Sequence, residues 1–111
     1  MRILFLGDIV GISGSSKILN NLKSEIEKKK INFVIVNGEN SAEPGVGLIE
    51  ETCKDFFNCG VNVITTGNHV WDQKEIMSYI EKENRLLRPQ NLYEPAPGKG
   101  FEIYQYSENI K

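Results

Sequence analysis

A chain of 111 residues is long enough for one small domain with a single core. Apolar residues make up 40% of it, which excludes a disordered chain, and no apolar run approaches the length of a membrane span. The 13 basic and 15 acidic side chains leave a net charge of −2, so the electrostatic footprint of a nucleic-acid duplex binder is missing.

The chain opens directly into a short continuous apolar run, Arg2 to Leu6, as expected for a strand covered on both faces. No basic stretch with a long apolar segment precedes it, so the expected location is the cytoplasm. Gly11 to Ser16 reads as a Gly/Ser loop in which one serine caps the next helix. That helix is predicted over 16–29, with Ile18, Leu19, Leu22 and Ile26 on its inner face. Lys28-Lys29-Lys30 reads as its solvated end, complementing the helix dipole. Asn32 to Asn37 is the second strand. Ser41 to Gly47 is a loop, followed by a helix from Leu48 to Asn58 whose rows Leu48-Thr52-Phe56 and Ile49-Cys53-Phe57 form a broad apolar face. Gly60 stands where a helix-ending glycine belongs.

Val61 to Thr65 is the third strand. A third helix is predicted from Asp72 to Glu83, opened by Asp72-x-x-Glu75 as a capping box and buried through Ile76, Tyr79 and Ile80. Arg85 to Gly100 carries three prolines and two glycines, reads as irregular, and leads to a last strand over Phe101 to Tyr106. Cys53 and Cys59 match no metal or redox spacing and read as reduced thiols. The alternation predicts an α/β fold: a mainly parallel sheet with helices on both faces, joined by right-handed crossovers.

Three strands end in the same way. Ile3 to Leu6 runs into Gly7-Asp8, Phe33 to Val36 into Asn37-Gly38-Glu39-Asn40, and Val61 to Ile64 through Thr65-Thr66 into Gly67-Asn68-His69. In parallel α/β sheets ligands bind at the carboxyl ends of the strands. Neighbouring parallel strands would therefore bring Asp8, Glu39, Asn40, Asn68 and His69 to one edge. An aspartate after glycine can simply cap a turn. Beside a second carboxylate, two amides and an imidazole, it suggests a hydrolytic site for a hard metal. Glutamate has poor turn chemistry, and His69 can protonate a leaving group near neutral pH. Asp72 can face His69, although a helix cap already accounts for it. A nucleotide-binding module is the alternative. Gly7, Gly11 and Gly14 then form a phosphate loop and Glu39 the ribose acid, but the glycine spacing is imperfect and Asn68 and His69 have no role.

The stretches Gly-Asp-Ile-Val-Gly at 7–11, Asn-Gly-Glu-Asn-Ser-Ala at 37–42, Thr-Gly-Asn-His-Val-Trp-Asp at 66–72 and Leu-Leu-Arg-Pro-Gln-Asn at 86–91 resemble the YmdB-like metallophosphoesterases of the calcineurin-like superfamily. The resemblance covers essentially the whole chain. It implies the N-terminal half of a calcineurin-like α/β sandwich, so that 1–111 is a single partial metallophosphoesterase domain. It also implies a phosphodiesterase with two divalent ions (Mn²⁺, Fe²⁺/Fe³⁺ or Mg²⁺) acting on a small phosphodiester or cyclic nucleotide. By position, Asp8 would bind one ion, Glu39 would bridge both and Asn68 would bind the second. His69 would donate the proton and Asn40 would assist. Val10 stands where most calcineurin-like enzymes have histidine, a departure this branch shares. Family members run to roughly twice this size and draw further histidine ligands from their later half, whereas this chain has no histidine after His69. The resemblance therefore points to a chain that is incomplete as an enzyme, paired with a complementing C-terminal chain or a homo-oligomer, or to a non-catalytic remnant.

Overall fold

The computed structural model describes residues 1–111. The elements are β1 (Ile3–Leu6), α1 (Gly11–Lys29), β2 (Phe33–Asn37), α2 (Glu50–Cys59), β3 (Val63–Thr65), α3 (Ile76–Ile80) and β4 (Leu86–Leu87). They form one four-stranded sheet in the order β1-β2-β3-β4, and every pairing is parallel. The α/β class, the parallel sheet and its first three strands are as expected. No helix is long and apolar enough to cross a membrane.

The register sorts the strand residues onto two faces. Leu4 pairs with Val34, and Leu6, Val36, Ile64 and Leu86 line up across all four strands. This face meets the helices. Leu22 of α1, Cys53, Phe56 and Cys59 of α2, and Ile76 and Ile80 of α3 join Val34, Val36, Ile64 and Leu86 in one buried cluster. Each fully buried Val, Ile, Leu or Phe side chain there contributes about 1.5–3 kcal/mol relative to exposure. The other face carries Ile3, Phe5, Phe33, Ile35 and Val63. The expected second helix layer is not formed, because all three helices feed the same cluster. Segment 101–106 lies over part of this second face instead, with the Tyr104 and Phe33 ring centroids 6.1 Å apart.

Other boundaries differ for physical reasons. Helix α1 begins at Gly11, not Ser16, and no side chain caps it. The small residues of 11–15 allow close packing: Ser15 is buried and its Oγ donates to the Ser41 carbonyl at 3.0 Å. Helix α2 ends as expected at Gly60, whose φ of 113° suits glycine. Helix α3 is a single short stretch, and Asp72 and Glu75 form no capping box on it. Glu75 Oε1 instead accepts from the Glu50 amide at 3.2 Å, supplying the cap that the start of α2 lacks.

The segment expected to be irregular contains β4. The loop after it is organised by one buried side chain. Arg88 donates to the carbonyls of Pro89 (3.1 Å) and Gly98 (3.3 Å) and to Glu94 Oε1 (2.6 Å). The predicted strand at 101–106 has no ladder partner. Both cysteines are free and buried, and burial pushes the Cys53 thiol far above its ordinary range.

Candidate active site

The parallel order places the ends of β1, β2 and β3 side by side, and hydrogen bonds join the loops that leave them. The Ile9 amide donates to Asn37 O (3.2 Å), Gly11 N to Asn40 O (2.8 Å) and Gly38 N to Thr65 O (3.0 Å). Two linked pairs of candidate residues meet at positions 39 and 40. Asn40 Nδ2 donates to Asp8 Oδ2 at 2.9 Å. Glu39 Oε2 accepts from the His69 backbone amide at 3.2 Å. Asn68 lies between Gly67 and His69 and is exposed.

Two features of this edge were not assigned from sequence. The first is Gly67. A Cβ there would lie 2.4 Å from both carboxylate oxygens of Glu39. The carboxylate thus occupies the space a side chain would fill, and only glycine allows it. The second is Asp72. Its Oδ2 lies 2.7 Å from His69 Nδ1, so Asp72 is the histidine's partner and not a helix cap. A carboxylate accepts, so the contact places a proton on Nδ1 and leaves Nε2 for other chemistry. The spacing of three residues between His69 and Asp72, closed by the Asp72 N to His69 O bond at 3.1 Å, was the available signal.

The donors suit a hard divalent cation in kind: carboxylates, amide oxygens and one imidazole. The Asn40 amide oxygen is buried without a hydrogen-bond partner, as is that of Asn37. An orphaned buried acceptor costs about 1–3 kcal/mol, and a cation or water satisfies it. The set is nevertheless sparse, since no three His, Cys, Asp or Glu side chains converge. It fits one side of a metal centre, not a complete one. The edge is also open. The largest cleft, of about 530 Å³, lies on the second sheet face and is lined by none of the five candidate residues. The glycines of the nucleotide-binding alternative face the chain itself: Gly11 packs near the Glu43 and Ala42 carbonyls and Gly14 against Ile9.

Carboxylates, amides and a paired imidazole thus stand at the carboxyl edge of a parallel α/β sheet, and known structures share this fold. A crystal structure of a hypothetical protein from Thermus thermophilus superposes with a TM-score of 0.86 at 36% identity, covering 95% of this chain and 40% of that one. A novel phosphatase of Mycoplasma pneumoniae gives 0.82 at 36% identity, covering 94% and 39%. The model of the YmdB-like protein family matches residues 4–111, and the chain belongs to that family. It is 44% identical over 101 residues to a 2′,3′-cyclic-nucleotide 2′-phosphodiesterase of Bacillus subtilis (strain 168). It spans 38% of that relative's length.

Proposed function

We propose that this chain carries one side of the active centre of a metal-dependent phosphodiesterase acting on small phosphodiesters of the cyclic-nucleotide class. The observation that carries the reading is the Glu39 carboxylate seated over Gly67 and held by the His69 amide, with His69 tied to Asp72. The substrate class follows that of the Bacillus subtilis relative, a 2′,3′-cyclic-nucleotide 2′-phosphodiesterase.

Asp8, Glu39 and Asn68 would hold two hard divalent ions (Mn²⁺, Fe²⁺/Fe³⁺ or Mg²⁺), together with donors from outside these residues. Such ions neutralise charge on a phosphoryl group and activate water. Asn40 orients Asp8 through its amide N–H and offers its free oxygen to the site. His69 presents Nε2 to the leaving oxygen as general acid, and the Asp72 carboxylate holds the ring through Nδ1. Gly67 keeps the Glu39 carboxylate close to the His69 backbone, so ligand and acid move as one unit.

The test is Mn²⁺ titration of the purified chain beside Glu39→Gln, followed by turnover of bis-p-nitrophenyl phosphate and cyclic nucleotides. Measurable Mn²⁺ binding that drops at least tenfold in Glu39→Gln is expected, with little turnover from the 111 residues alone. No Mn²⁺ binding, or binding indifferent to Glu39, overturns the metal site. Robust turnover abolished in the variant would show that these residues suffice.

A further inference from the structure

The contact between His69 and Asp72 stands at the surface and does not support itself. The two side chains are 36% and 39% exposed and 2.7 Å apart. A pair of that exposure gains little alone, because water screens it and both side chains give up rotamer freedom to stay together. His69 is fixed through its backbone: its amide donates to Glu39, and the next residue, Val70, is buried in the core. Asp72 is held from the opposite side, by the loop between β2 and α2.

Gln73 Nε2 donates to the Val46 carbonyl of that loop at 3.1 Å. Gly47 is buried against the same turn. A Cβ there would lie 2.6 Å from Gln73 Cγ, 3.0 Å from Gln73 N and 3.2 Å from Asp72 Cβ. The backbone at 46–47 therefore meets residues 72 and 73 directly. Farther along, Glu75 accepts from the Glu50 amide and fastens the two segments a second time. The loop itself is firmly seated. Ser41 and Ala42 are buried, as is Leu48 at its other end. Ala42 N donates to the Gly47 carbonyl at 3.0 Å, and Ser41 Oγ to Gly38 O at 2.7 Å. The loop starts directly after Asn40, so the strand end that carries Glu39 and Asn40 also supports the turn that carries Asp72.

We infer that Gln73 is a positioning residue: by tying its turn to the Val46 carbonyl over Gly47, it holds the Asp72 carboxylate on His69 Nδ1. A held carboxylate fixes which ring nitrogen carries the proton and where the other one faces, and a carboxylate free to swing does neither. The Gln73 amide bonds the loop, so its effect on the ring passes through Asp72. The catalytic use of that ring rests on the phosphodiesterase reading above. The tie itself is a matter of packing and is measured without metal or substrate.

His69 is the only histidine, so nitrogen NMR reads its ring without overlap. The 111-residue chain is compared as parent, Gln73→Met, Asp72→Ala, the double variant and Lys74→Met, all with the ring neutral. Methionine keeps the length of Gln73 but cannot donate to Val46, and exposed Lys74 is the neighbouring control. In Gln73→Met the ratio of Nδ1-protonated to Nε2-protonated ring should fall by about threefold or more, the effect of one net hydrogen bond. Lys74→Met should leave the ratio unchanged, and Gln73→Met should add nothing in the Asp72→Ala background. The melting temperature of Gln73→Met should stay within about 2 °C of the parent. An unchanged ratio in Gln73→Met, an equal fall in Lys74→Met, or a further fall in the Asp72→Ala background overturns the proposal. A loss of more than about 5 °C in melting temperature would assign Gln73 to fold stability and also overturn it. A parent ring without the Nδ1 proton would remove the Asp72 contact and the proposal with it, while leaving the Glu39→Gln test of the metal site untouched.

Discussion

Gly67→Ala isolates the geometry of the site from the stability of the fold. The backbone at Gly67 lies outside the left-handed region, so alanine is conformationally acceptable there. Its Cβ would lie 2.4 Å from both Glu39 oxygens, whereas ordinary contact begins at 3.4 Å. The carboxylate must retreat by about 1 Å, because packed atoms do not interpenetrate. It sits at the end of a flexible side chain and can do so by rotating. The direct loss is then its bond to the His69 amide, about 1 kcal/mol for a partly exposed pair. A displacement of about 1 Å in a ligand or catalytic group costs far more in function, up to about a hundredfold. Urea unfolding and Mn²⁺ titration should therefore diverge: a small change in stability, and at least a tenfold loss in Mn²⁺ affinity. Gly38→Ala is the counterpart. Its Cβ would lie 3.1 Å from Ile64 Cγ2 and near Leu48 and Phe56, so it strains the core. It should lose about 1–3 kcal/mol of stability and change Mn²⁺ affinity less than twofold. Unchanged Mn²⁺ binding in Gly67→Ala, or parallel losses in the two variants, would refute the placement of Glu39 at a metal.

Further outcomes follow from other parts of the structure. His69 is the only histidine, so nitrogen NMR of its ring reads the Asp72 contact directly: the proton should sit on Nδ1 in the parent and move largely to Nε2 in Asp72→Ala, and an unchanged tautomer would remove the partnership. Phe56→Ala should cost about 3–5 kcal/mol in urea unfolding, since Phe56 is fully buried, while Phe101→Ser should stay within about 0.5 kcal/mol. The Arg85 guanidinium, hydrogen-bonded to Glu83 at 2.7 and 2.8 Å, holds that carboxyl below its usual range. A lowered folded-state value stabilises above the unfolded carboxylate range and fades as pH falls through the folded value. The stability gap between the parent and Glu83→Gln should therefore be full at about pH 7 and shrink steadily in acid. A gap independent of pH would show that the pair contributes through packing alone.

The alternation of short apolar runs with helical periods was enough to predict a parallel α/β sheet, because strand and helix periods are local properties of the chain. The same runs, each ending in glycine and a polar group, marked Asp8, Glu39, Asn40, Asn68 and His69 before any packing was known. The structure joins Asp8 to Asn40 and Glu39 to His69. Strand β4 was not legible, since two residues are too few to show a period and it forms only because β3 offers a free edge. Asp72 and Glu75 matched a capping box, but each found a nearer partner, in His69 and in the start of α2. A local motif states which bonds are available, and the neighbours brought up by folding select among them. The covering of the sheet was likewise decided in three dimensions. The apolar runs required two covered faces, but only the assembled packing shows that all three helices lie on one face and that Ile3 and Phe5 stand open on the other, because which face a helix takes depends on the path of the chain and not on its periodicity.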